Sequence, residues 1–423
     1  MKDFVLLDQS GAGLSRAQIQ EAITTFVSGQ TLTEKTLLIP PDFTRMHSGA
    51  GMISQDLYRA IGEKSHVDLI PALGTHEPVS DTQRELFFGD IPADRFLEHN
   101  WKTEVVKLGE VPAEFVAEVS EGVMDEPFDV ELNRNLVDGG YGLIVSIGQV
   151  VPHEVIGMAN YTKNLLVGVG GSGFINKSHM LGALYGMERI MGRDKTPVRR
   201  VFDYAQEHFL SKLPIVHILT VTTHDAEGLH IHGLFIGDQR SVFERAVALA
   251  QQKNMTFVKT PFQKCVVWLD PEEFQSTWLG NKAVYRTRMA MADGGELIIL
   301  APGVRHFGED AENDRLIRKF GYVGRENILK LYRTEPELQV NQGVAAHLVH
   351  GSSDGRFSIT YCTRELTKEE VEGVGFRYMP LDEAMKKYNP ETLKNGMNTL
   401  PDGEEIFFIE NPALGLWADE AKF

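Results

Sequence analysis

Cysteine, long apolar runs and an excess of positive charge are all missing from this sequence. Its 423 residues include only 2 cysteines, Cys265 and Cys362, too few for a disulfide framework and typical of a reducing compartment. No stretch approaches the roughly 18 apolar residues of a membrane-spanning helix, and aspartate and glycine interrupt the N-terminus before a signal-peptide core develops. We therefore expect a cytoplasmic protein without a membrane partner.

The charge balance of the chain is acidic. Lysine and arginine number 42 against 59 aspartates and glutamates, which gives a formal net charge of −17. Binding to nucleic acid without sequence preference depends on clustered cations, so this composition argues against a nucleic-acid partner. Hydrophobic residues make up 42% of the chain, enough for a sizeable core. We expect a globular protein that acts on a small molecule.

Short apolar runs alternate with amphipathic stretches in the first two-thirds of the chain. The amphipathic stretches 52–63 and 81–88 predict helices. Apolar runs that predict strands cover residues 36–40, 67–73, 142–147, 165–169 and 215–221. Short strands that are apolar on both faces and alternate with helices are typical of an α/β fold with a parallel-type sheet.

A second block of the same kind begins at Cys265, after the polar, proline-bearing segment 259–264. Its predicted strands cover 265–269, 296–300 and 357–362, and its predicted helices cover 275–292, 311–320 and 327–332. The pattern therefore predicts two α/β domains with an active-site cleft between them. We expect residues 1–264 to bind a cofactor and carry the catalysis, and residues 265–423 to close over the substrate.

Polar side chains follow the first two predicted strands. Asp42 and Arg45 follow the first, and His76 follows the second. Ligands bind at the carboxyl ends of strands in open α/β sheets, where arginine suits a carboxylate or phosphate and histidine exchanges protons near neutral pH. The structural alternatives are an ion pair between Asp42 and Arg45 and a His76 hydrogen-bonded within its own turn.

A third cluster contains His153, Lys163 and His179, separated by ten and sixteen positions. These intervals exceed one helical turn, so the side chains meet only through tertiary folding. An apolar neighbourhood lowers the pKa of a lysine and turns it into a nucleophile, although a surface lysine beside a strand is the alternative. His179 alone is a weak indication of a metal ligand.

Two other features allow different functions. Gly168, Gly170 and Gly173 fit the G-x-G-x-x-G pattern of an NAD-dependent oxidoreductase, but residues 174–178 separate them from helical periodicity. We therefore favour a tight loop there, and keep the oxidoreductase and a non-catalytic protein that binds a small anion as alternatives. Three further histidines fit no metal-binding spacing and are assigned a structural role: His224, His230 and His232.

The clusters, taken together in this order, resemble the lactate racemase-like family, whose members use a nickel-pincer nucleotide. The resemblance rests on Asp42-Phe-Thr-Arg45, Gly74-Thr-His76, His153, Lys163 and His179, and it extends weakly through 233–239 to Lys282. It implies an isomerase, a racemase or epimerase that inverts C2 of a 2-hydroxy acid by reversible hydride transfer. It also implies that separate cofactor-synthesis enzymes are partners.

The resemblance further implies a role for each matching residue. The nickel pyridinium-3-thioamide-5-thiocarboxylic acid mononucleotide is expected to be covalently attached to Lys163, and His179 is expected to be a nickel ligand. His76 and His153 match the alternating acid and base. Asp42 and Arg45 match residues near cofactor and substrate, and the arginine is expected to hold the substrate carboxylate.

The second block departs from the family pattern. Leu279 stands where the family has a glutamine, three residues before Lys282, and Glu77 replaces the usual arginine after His76. Asn281, Lys282 and Arg286 supply polar and cationic groups that we expect to bind substrate. These departures favour a larger, anionic sugar acid such as an aldonate over lactate.

Overall fold

The computed structural model describes residues 3–74, 76, 78–225, 227–413 and 415–423. The chain forms two compact units: residues 1–181 with 190–254, and residues 182–189 with 255–423. The boundary therefore follows Asn254, earlier than the position between residues 264 and 265 expected from composition. The reason is that the strand Met255–Val258 already pairs with Leu416–Asp419 of the second unit, before the predicted linker begins.

The first unit contains one large sheet and two small hairpin-like pairs. Its strands are β1 Phe4–Leu7, β2 Lys35–Ile39, β3 His66–Leu69, β4 Val105–Val111, β5 Phe128–Asn133, β6 Leu143–Gln149, β7 Pro152–His153, β8 Gly157–Met158, β9 Ile215–Asp225 and β10 Gly228–Gly237. The large sheet has the order β1-β10-β9-β6-β2-β3. Strands β9, β6, β2 and β3 are parallel to one another, whereas β10 pairs antiparallel with both β9 and β1.

Helices cover both faces of this sheet. They are α1 Arg16–Ser28, α2 Ala50–Ile61, α3 Asp81–Phe88, α4 Ala113–Val119, α5 Arg134–Asp138, α6 Thr162–Leu166, α7 Ser172–Tyr185, α8 Pro197–Ala205 and α9 Arg240–Asn254. Leu38 and Val145 pack with α1 and α2, whereas Leu219 and Phe235 pack with α9. Strands that bury side chains on both faces explain the unbroken apolar runs in the sequence.

The second unit is built around a second six-stranded sheet. The strands of this unit are β11 Met255–Val258, β12 Phe262–Trp268, β13 Met291–Leu300, β14 Ser358–Thr363, β15 Arg377–Pro380, β16 Gly396–Thr399, β17 Glu405–Ile409 and β18 Leu416–Asp419, of which β11 and β18 form a separate pair. The sheet has the order β15-β14-β13-β12-β17-β16, and all its pairs except β16–β17 are parallel. The prediction of α/β architecture with parallel-type sheets is confirmed.

The remaining helices belong to the second unit, which also takes the last turn of α7. They are α10 Thr277–Gly280, α11 Lys282–Thr287, α12 Ala311–Phe320, α13 Arg325–Thr334, α14 Pro336–Val340, α15 Gln342–His350, α16 Lys368–Gly373 and α17 Leu381–Lys387. Among the helices of the described residues, none is long and apolar enough to cross a membrane.

Two predicted elements were wrong. Residues 165–169 are not a strand, because Leu165 and Leu166 end the short buried helix α6. A short apolar run cannot be distinguished from a buried helical turn by periodicity alone. Residues 275–292 are not one helix either: Asn281 separates α10 from α11, and β13 begins at Met291.

Candidate active site

Three neighbouring parallel strands deliver the predicted site residues to one edge of the first sheet. Strand β2 runs into Asp42, β3 runs towards His76 and β6 runs into His153, and the three strands are adjacent in the order β3-β2-β6. The parallel pairing of β2 and β3 continues beyond both strands to a bridge between Pro41 and Ala72. The structure thus brings Asp42 and His76 together, as expected from their positions after neighbouring strands.

Asp42 binds the His76 ring. One carboxylate oxygen accepts hydrogen bonds from the Thr44 amide at 3.1 Å and the Thr44 hydroxyl at 2.6 Å. The other lies 2.5 Å from Nδ1 of His76, so Nδ1 carries a proton and the Nε2 lone pair of the neutral ring is left to accept one. The expected alternative, an ion pair of Asp42 with Arg45, is not among the ion pairs of the described residues.

The pKa of Asp42 lies below its usual value. Burial works against this by raising the pKa, but the hydrogen bond and charge of His76, the Thr44 hydroxyl and the charge of Arg45 outweigh it. The carboxylate therefore stays ionised behind His76. An ionised carboxylate in this position holds the imidazole in one tautomer and stabilises the imidazolium that forms when the ring takes a proton.

Arg45 lies in the turn directly after Asp42. Its backbone departs from helical angles, at φ −111° and ψ 36°, and its side chain is half-buried. Within the described ranges, no acidic side chain lies within 4 Å of it. A cation that is half-buried and not neutralised by an ion pair suits the binding of an anionic ligand.

His153 is buried and set differently from His76. Its Nδ1 accepts a hydrogen bond of 3.1 Å from the Val155 amide, so the neutral ring carries its proton on Nε2. The Glu154 carboxylate lies 3.8 Å from the same Nδ1. His153 is therefore arranged as a hydrogen-bond donor at Nε2, whereas His76 is arranged as an acceptor.

Lys163 lies in α6, which is tied directly to the sheet. The next residue, Asn164, donates from its amide to the Ile39 carbonyl and to the Ser146 hydroxyl, both at 3.0 Å. Ile39 ends β2 and Ser146 lies in β6, so Asn164 fixes α6 at the same edge of the sheet as Asp42. In the part of the chain that the structure describes, no carboxylate lies within 4 Å of the Lys163 amine.

The charge environment of Lys163 is set by burial and by four neighbouring charges. Burial lowers its pKa to about 8, and the positive charges of Arg45 and Arg199 act in the same direction. Glu154 and Asp42 act against them. A substantial fraction of this amine is therefore neutral near physiological pH, which is the form that attacks a carbon centre.

His179 lies in α7 with one ring nitrogen already committed. Its Nδ1 is 2.7 Å from the Ile175 carbonyl one turn earlier, so Nδ1–H donates and Nε2 carries a lone pair. Burial lowers the pKa of His179, Lys163 lowers it further, and the Ile175 carbonyl and Glu154 oppose the shift. The second nitrogen of a metal-binding histidine is usually held by a carbonyl or carboxylate, and the Ile175 carbonyl fills that position here, so Nε2 of His179 could hold a metal ion.

Glu154 is not among the site residues that the sequence predicts. Its carboxylate acts on the pKa of both Lys163 and His179 and lies near His153. Its position next to His153 was the available signal, but a single acidic residue beside a histidine is too common to single out. The structure makes it the residue whose negative charge links the lysine and the two histidines.

The glycine-rich segment does not form a dinucleotide-binding turn. The helix α7 begins at Ser172, earlier than expected, but the preceding element is the helix α6 and not a strand. Side chains at Gly168 and Gly171 would collide with Ala72 and with the Glu131 carboxylate, respectively. These glycines permit close packing of protein against protein, as the tight-loop interpretation predicts.

The predicted residues of the second unit are less accessible. Asn281 is fully buried and accepts a hydrogen bond of 2.7 Å from the Tyr361 hydroxyl. Arg286 is 2% exposed, and its guanidinium lies 3.4 Å from the Gly415 carbonyl. Lys282 is half-buried, with its amine 5.3 Å from the centre of the Phe274 ring. Glu77 lies outside the described residues.

The other histidines have structural partners. His230 contacts the Ala12 carbonyl and Asp225, both at 2.9 Å, and His232 contacts the Thr223 hydroxyl at 2.8 Å. The His224 ring packs 4.5 Å from that of His47. Among the described residues, no group of three or more His, Cys, Asp or Glu side chains is placed to hold a metal ion.

Fold and site together define a mixed α/β protein in which a desolvated lysine and several histidines gather at the carboxyl edge of a parallel sheet. Residues 14–191 match the model of the lactate racemase N-terminal domain. The resemblance of this part of the chain to the lactate racemase-like family is thereby confirmed.

Two solved structures resemble the whole chain in fold. A Thermotoga maritima protein, solved as a structural-genomics target, is 22% identical with a TM-score of 0.81, over 97% of this chain and 99% of that one. The lactate racemase apoprotein from Thermoanaerobacterium thermosaccharolyticum is 16% identical with a TM-score of 0.70, over 94% and 92% of the two chains. No curated protein sequence matches this chain closely enough to count as a relative.

Proposed function

We propose that the protein is a racemase or epimerase that inverts C2 of a 2-hydroxy acid with a nickel-pincer nucleotide attached to Lys163. The observation that carries this proposal is the state of Lys163. Its amine is desolvated to a pKa of about 8, has no ion-pair partner among the described residues, and lies in the charge field of Arg45, Glu154 and Asp42. Desolvation without an ion pair destabilises a lysine with a purely structural role, whereas the lowered pKa favours the neutral form from which a lysine forms a covalent bond.

The residues present fit such a cofactor. An amine with an appreciable neutral fraction at Lys163 suits covalent attachment, and the Nε2 lone pair of His179 suits coordination of nickel. One histidine does not hold a metal ion alone, and a pincer cofactor brings the remaining ligands itself. Lys163 and His179 would hold this cofactor, and its chemistry when bound would be that of an electrophilic hydride acceptor for C2 of the substrate.

The chain's own residues then have to accept the hydroxyl proton of the substrate and bind its carboxylate. The Nε2 atom of His76 is ready to accept the hydroxyl proton of the substrate, and Asp42 stabilises the imidazolium that results. Arg45 offers its guanidinium to the substrate carboxylate. Removal of the hydroxyl proton as the hydride leaves avoids a carbanion at C2, which neither histidine is basic enough to generate.

Inversion needs a second proton-transfer group on the opposite face of the planar keto acid, and we assign it to His153. In the observed arrangement the Nδ1 of His153 accepts from the Val155 amide, so the ring is neutral. To hold a second proton, the ring has to release that amide and direct Nδ1–H at another acceptor. Glu154, 3.8 Å away, is the nearest charged acceptor for it.

We propose a sugar acid such as an aldonate as substrate, in preference to lactate. The support is the set of departures from the family pattern: Leu279 in place of the glutamine, with Lys282, Asn281 and Arg286 nearby. Of these, Lys282 is the half-buried cation and therefore the strongest candidate for a substrate contact. Asn281 and Arg286 are buried, which favours a supporting role for both.

The test uses a 2-hydroxy acid carrying deuterium at C2, with protein co-produced with the cofactor-synthesis enzymes. Hydride transfer predicts an inverted product that keeps its deuterium in ordinary water, and His76→Ala and His153→Ala should each abolish inversion while nickel stays bound. Washing deuterium out to solvent would contradict hydride transfer. Activity that depends on added, exchangeable NAD would favour the oxidoreductase, and binding without inversion would favour an anion-binding protein.

A further inference from the structure

The backbone immediately before Lys163 is strained. Asn160 and Tyr161 have φ values of 68° and 58°, the left-handed region that residues with a side chain rarely occupy. These two residues lead directly into α6, in which Lys163 is the second residue. Strain of this kind persists only where surrounding contacts enforce it, and it concentrates at functional sites.

Arg199 of α8 enforces this turn. Its guanidinium donates to the Thr162 hydroxyl and to the Met158 carbonyl, each at 2.7 Å, and reaches the Asn160 carbonyl at 3.4 Å. The fork of one arginine therefore spans both sides of the left-handed pair. The Asn160 side chain completes the turn by accepting from the Tyr161 amide at 2.7 Å.

A buried arginine without a carboxylate partner is an unusual residue to hold a turn, and we call Arg199 with its hydrogen bonds to residues 158–162 the clamp. It is 1% exposed, and within the described part of the chain no carboxylate lies within 4 Å of it. Its guanidinium instead lies 4.4 Å from the centre of the Phe243 ring. Burying a charge is costly, so a neutral residue would serve better if the only requirement were to fill space.

We infer that Arg199 is a positioning residue for Lys163: it holds the strained turn 158–162 so that the Lys163 amine is kept at the desolvated edge of the sheet. Two consequences follow from the same contacts. If the clamp is loosened, α6 loses its fixed start and the amine gains access to water. The Arg199 charge also disfavours the ammonium form, but Arg199→Lys keeps a positive charge, so a shift in this variant reports the added solvation of the amine.

The inference rests on the proposed function only for the role of Lys163. Its test needs neither the cofactor nor racemase activity, so a negative result here is distinguishable from failure of the proposed function. Cofactor-free full-length protein is treated with acetic anhydride across a range of pH, and acetylation of Lys163 is followed by peptide mass spectrometry. The exposed lysines Lys195 and Lys212 serve as internal references. The groups that act on Lys163 and titrate or carry charge beside it are Arg45, Glu154, Asp42, Arg199 and His179.

For Arg199→Lys we expect the Lys163 profile to move to higher pH, with acetylation at about pH 8 reduced by roughly tenfold for each unit moved. Amide hydrogen exchange in the peptide 158–164 should become faster. The matched control is Arg240→Lys, because Arg240 pairs with Asp194 and Asp203 and lies 6.0 Å from the centre of the Tyr161 ring, but makes none of the hydrogen bonds to the turn found among the described residues. Arg240→Lys should leave the profile in place.

Thr162→Val keeps Arg199 and removes a single acceptor, so it should give a smaller shift in the same direction, and it decides the matter if Arg199→Lys does not fold. An unchanged Lys163 profile in the folded Arg199→Lys protein would overturn the inference. So would an equal shift in Arg240→Lys, since that would show a general effect of charge in the region. If Arg199→Lys does not fold, an unchanged Lys163 profile in Thr162→Val would likewise overturn the inference.

Discussion

At the scale of single residues, the site depends on which atom of each histidine carries a proton. Asp42 gives His76 a lone pair at Nε2, and the Val155 amide gives His153 a proton at Nε2. The sequence predicted that Asp42, His76 and His153 belong together, because strand ends meet at one edge of a parallel sheet. It could not predict the tautomers, since these depend on hydrogen bonds between residues up to 34 positions apart.

Asp42→Asn tests the role of the carboxylate behind His76. The amide keeps the shape but removes the charge that stabilises the imidazolium, so we expect the rate of C2 inversion to fall by about two to four orders of magnitude with the cofactor still bound. A rate within about threefold of the native enzyme would contradict the assignment.

The same substitution has a consequence for stability. Because the pKa of Asp42 is depressed in the folded protein, its contribution is present above the unfolded pKa of about 4 and is lost as the pH falls through the folded value. The difference in unfolding free energy between the native protein and Asp42→Asn, measured with urea, should therefore shrink as the pH is lowered from about 6 to about 3. A constant difference would show that the charge is not involved.

Two substitutions around Lys163 should act in opposite directions. Arg45 disfavours the ammonium form and Glu154 favours it. At about pH 8, Arg45→Gln should therefore slow acetylation of Lys163 and Glu154→Gln should accelerate it, each by a factor within about ten. Changes of the same sign in both variants would indicate altered exposure of the amine and would contradict the electrostatic account.

At the scale of elements, the strand ends were predictable and the short helix between them was not. The runs 36–40 and 67–73 became β2 and β3, because strands apolar on both faces are distinctive. The run 165–169 was predicted as a strand and lies in and after α6. Asn164 explains the difference: its amide bonds to two strands hold a five-residue helix that would not form alone.

Asn164→Ala tests this anchor. The substitution leaves the Ile39 carbonyl and the Ser146 hydroxyl without this buried donor, so we expect a loss of about 1–3 kcal/mol in the free energy of unfolding. The control is Asn327→Ala, in which an exposed side-chain bond to the Val323 carbonyl is lost, with an expected change of about 0.5 kcal/mol or less. Equal losses in urea denaturation would contradict the anchoring role.

At the scale of the whole molecule, the two units are not consecutive in sequence. Residues 182–189 belong to the second unit, where Glu188 pairs with the buried Arg288 at 2.7 Å and Arg325 reaches the Ala183 carbonyl at 3.2 Å. The sequence predicted two α/β units and placed their boundary between residues 264 and 265. The sequence could not predict that residues 182–189 belong to the second unit, because contacts between residues about 100 positions apart leave no local pattern.

The buried amine of Lys163 should make the cofactor-free protein less stable than it could be. A lysine whose pKa falls from 10.5 to about 8 on folding costs stability at neutral pH, because its ammonium form is less favourable in the folded chain than in the unfolded one. Lys163→Met should therefore stabilise the cofactor-free protein at about pH 7 by up to about 3 kcal/mol. The gain should shrink as the pH rises from about 8 to about 10.5, and a gain independent of pH in urea denaturation would contradict this account.

The central claim is that Lys163 carries the cofactor, and one measurement tests it directly. Protein co-produced with the cofactor-synthesis enzymes is digested, and the mass of the peptide containing Lys163 is determined, with nickel measured on the same sample. We expect the peptide to carry the added mass of the pincer nucleotide on Lys163, and the sample to contain about one nickel per chain. The corresponding peptide of Lys163→Met should carry no added mass. An unmodified Lys163 in a preparation that inverts C2 of a 2-hydroxy acid would contradict the account.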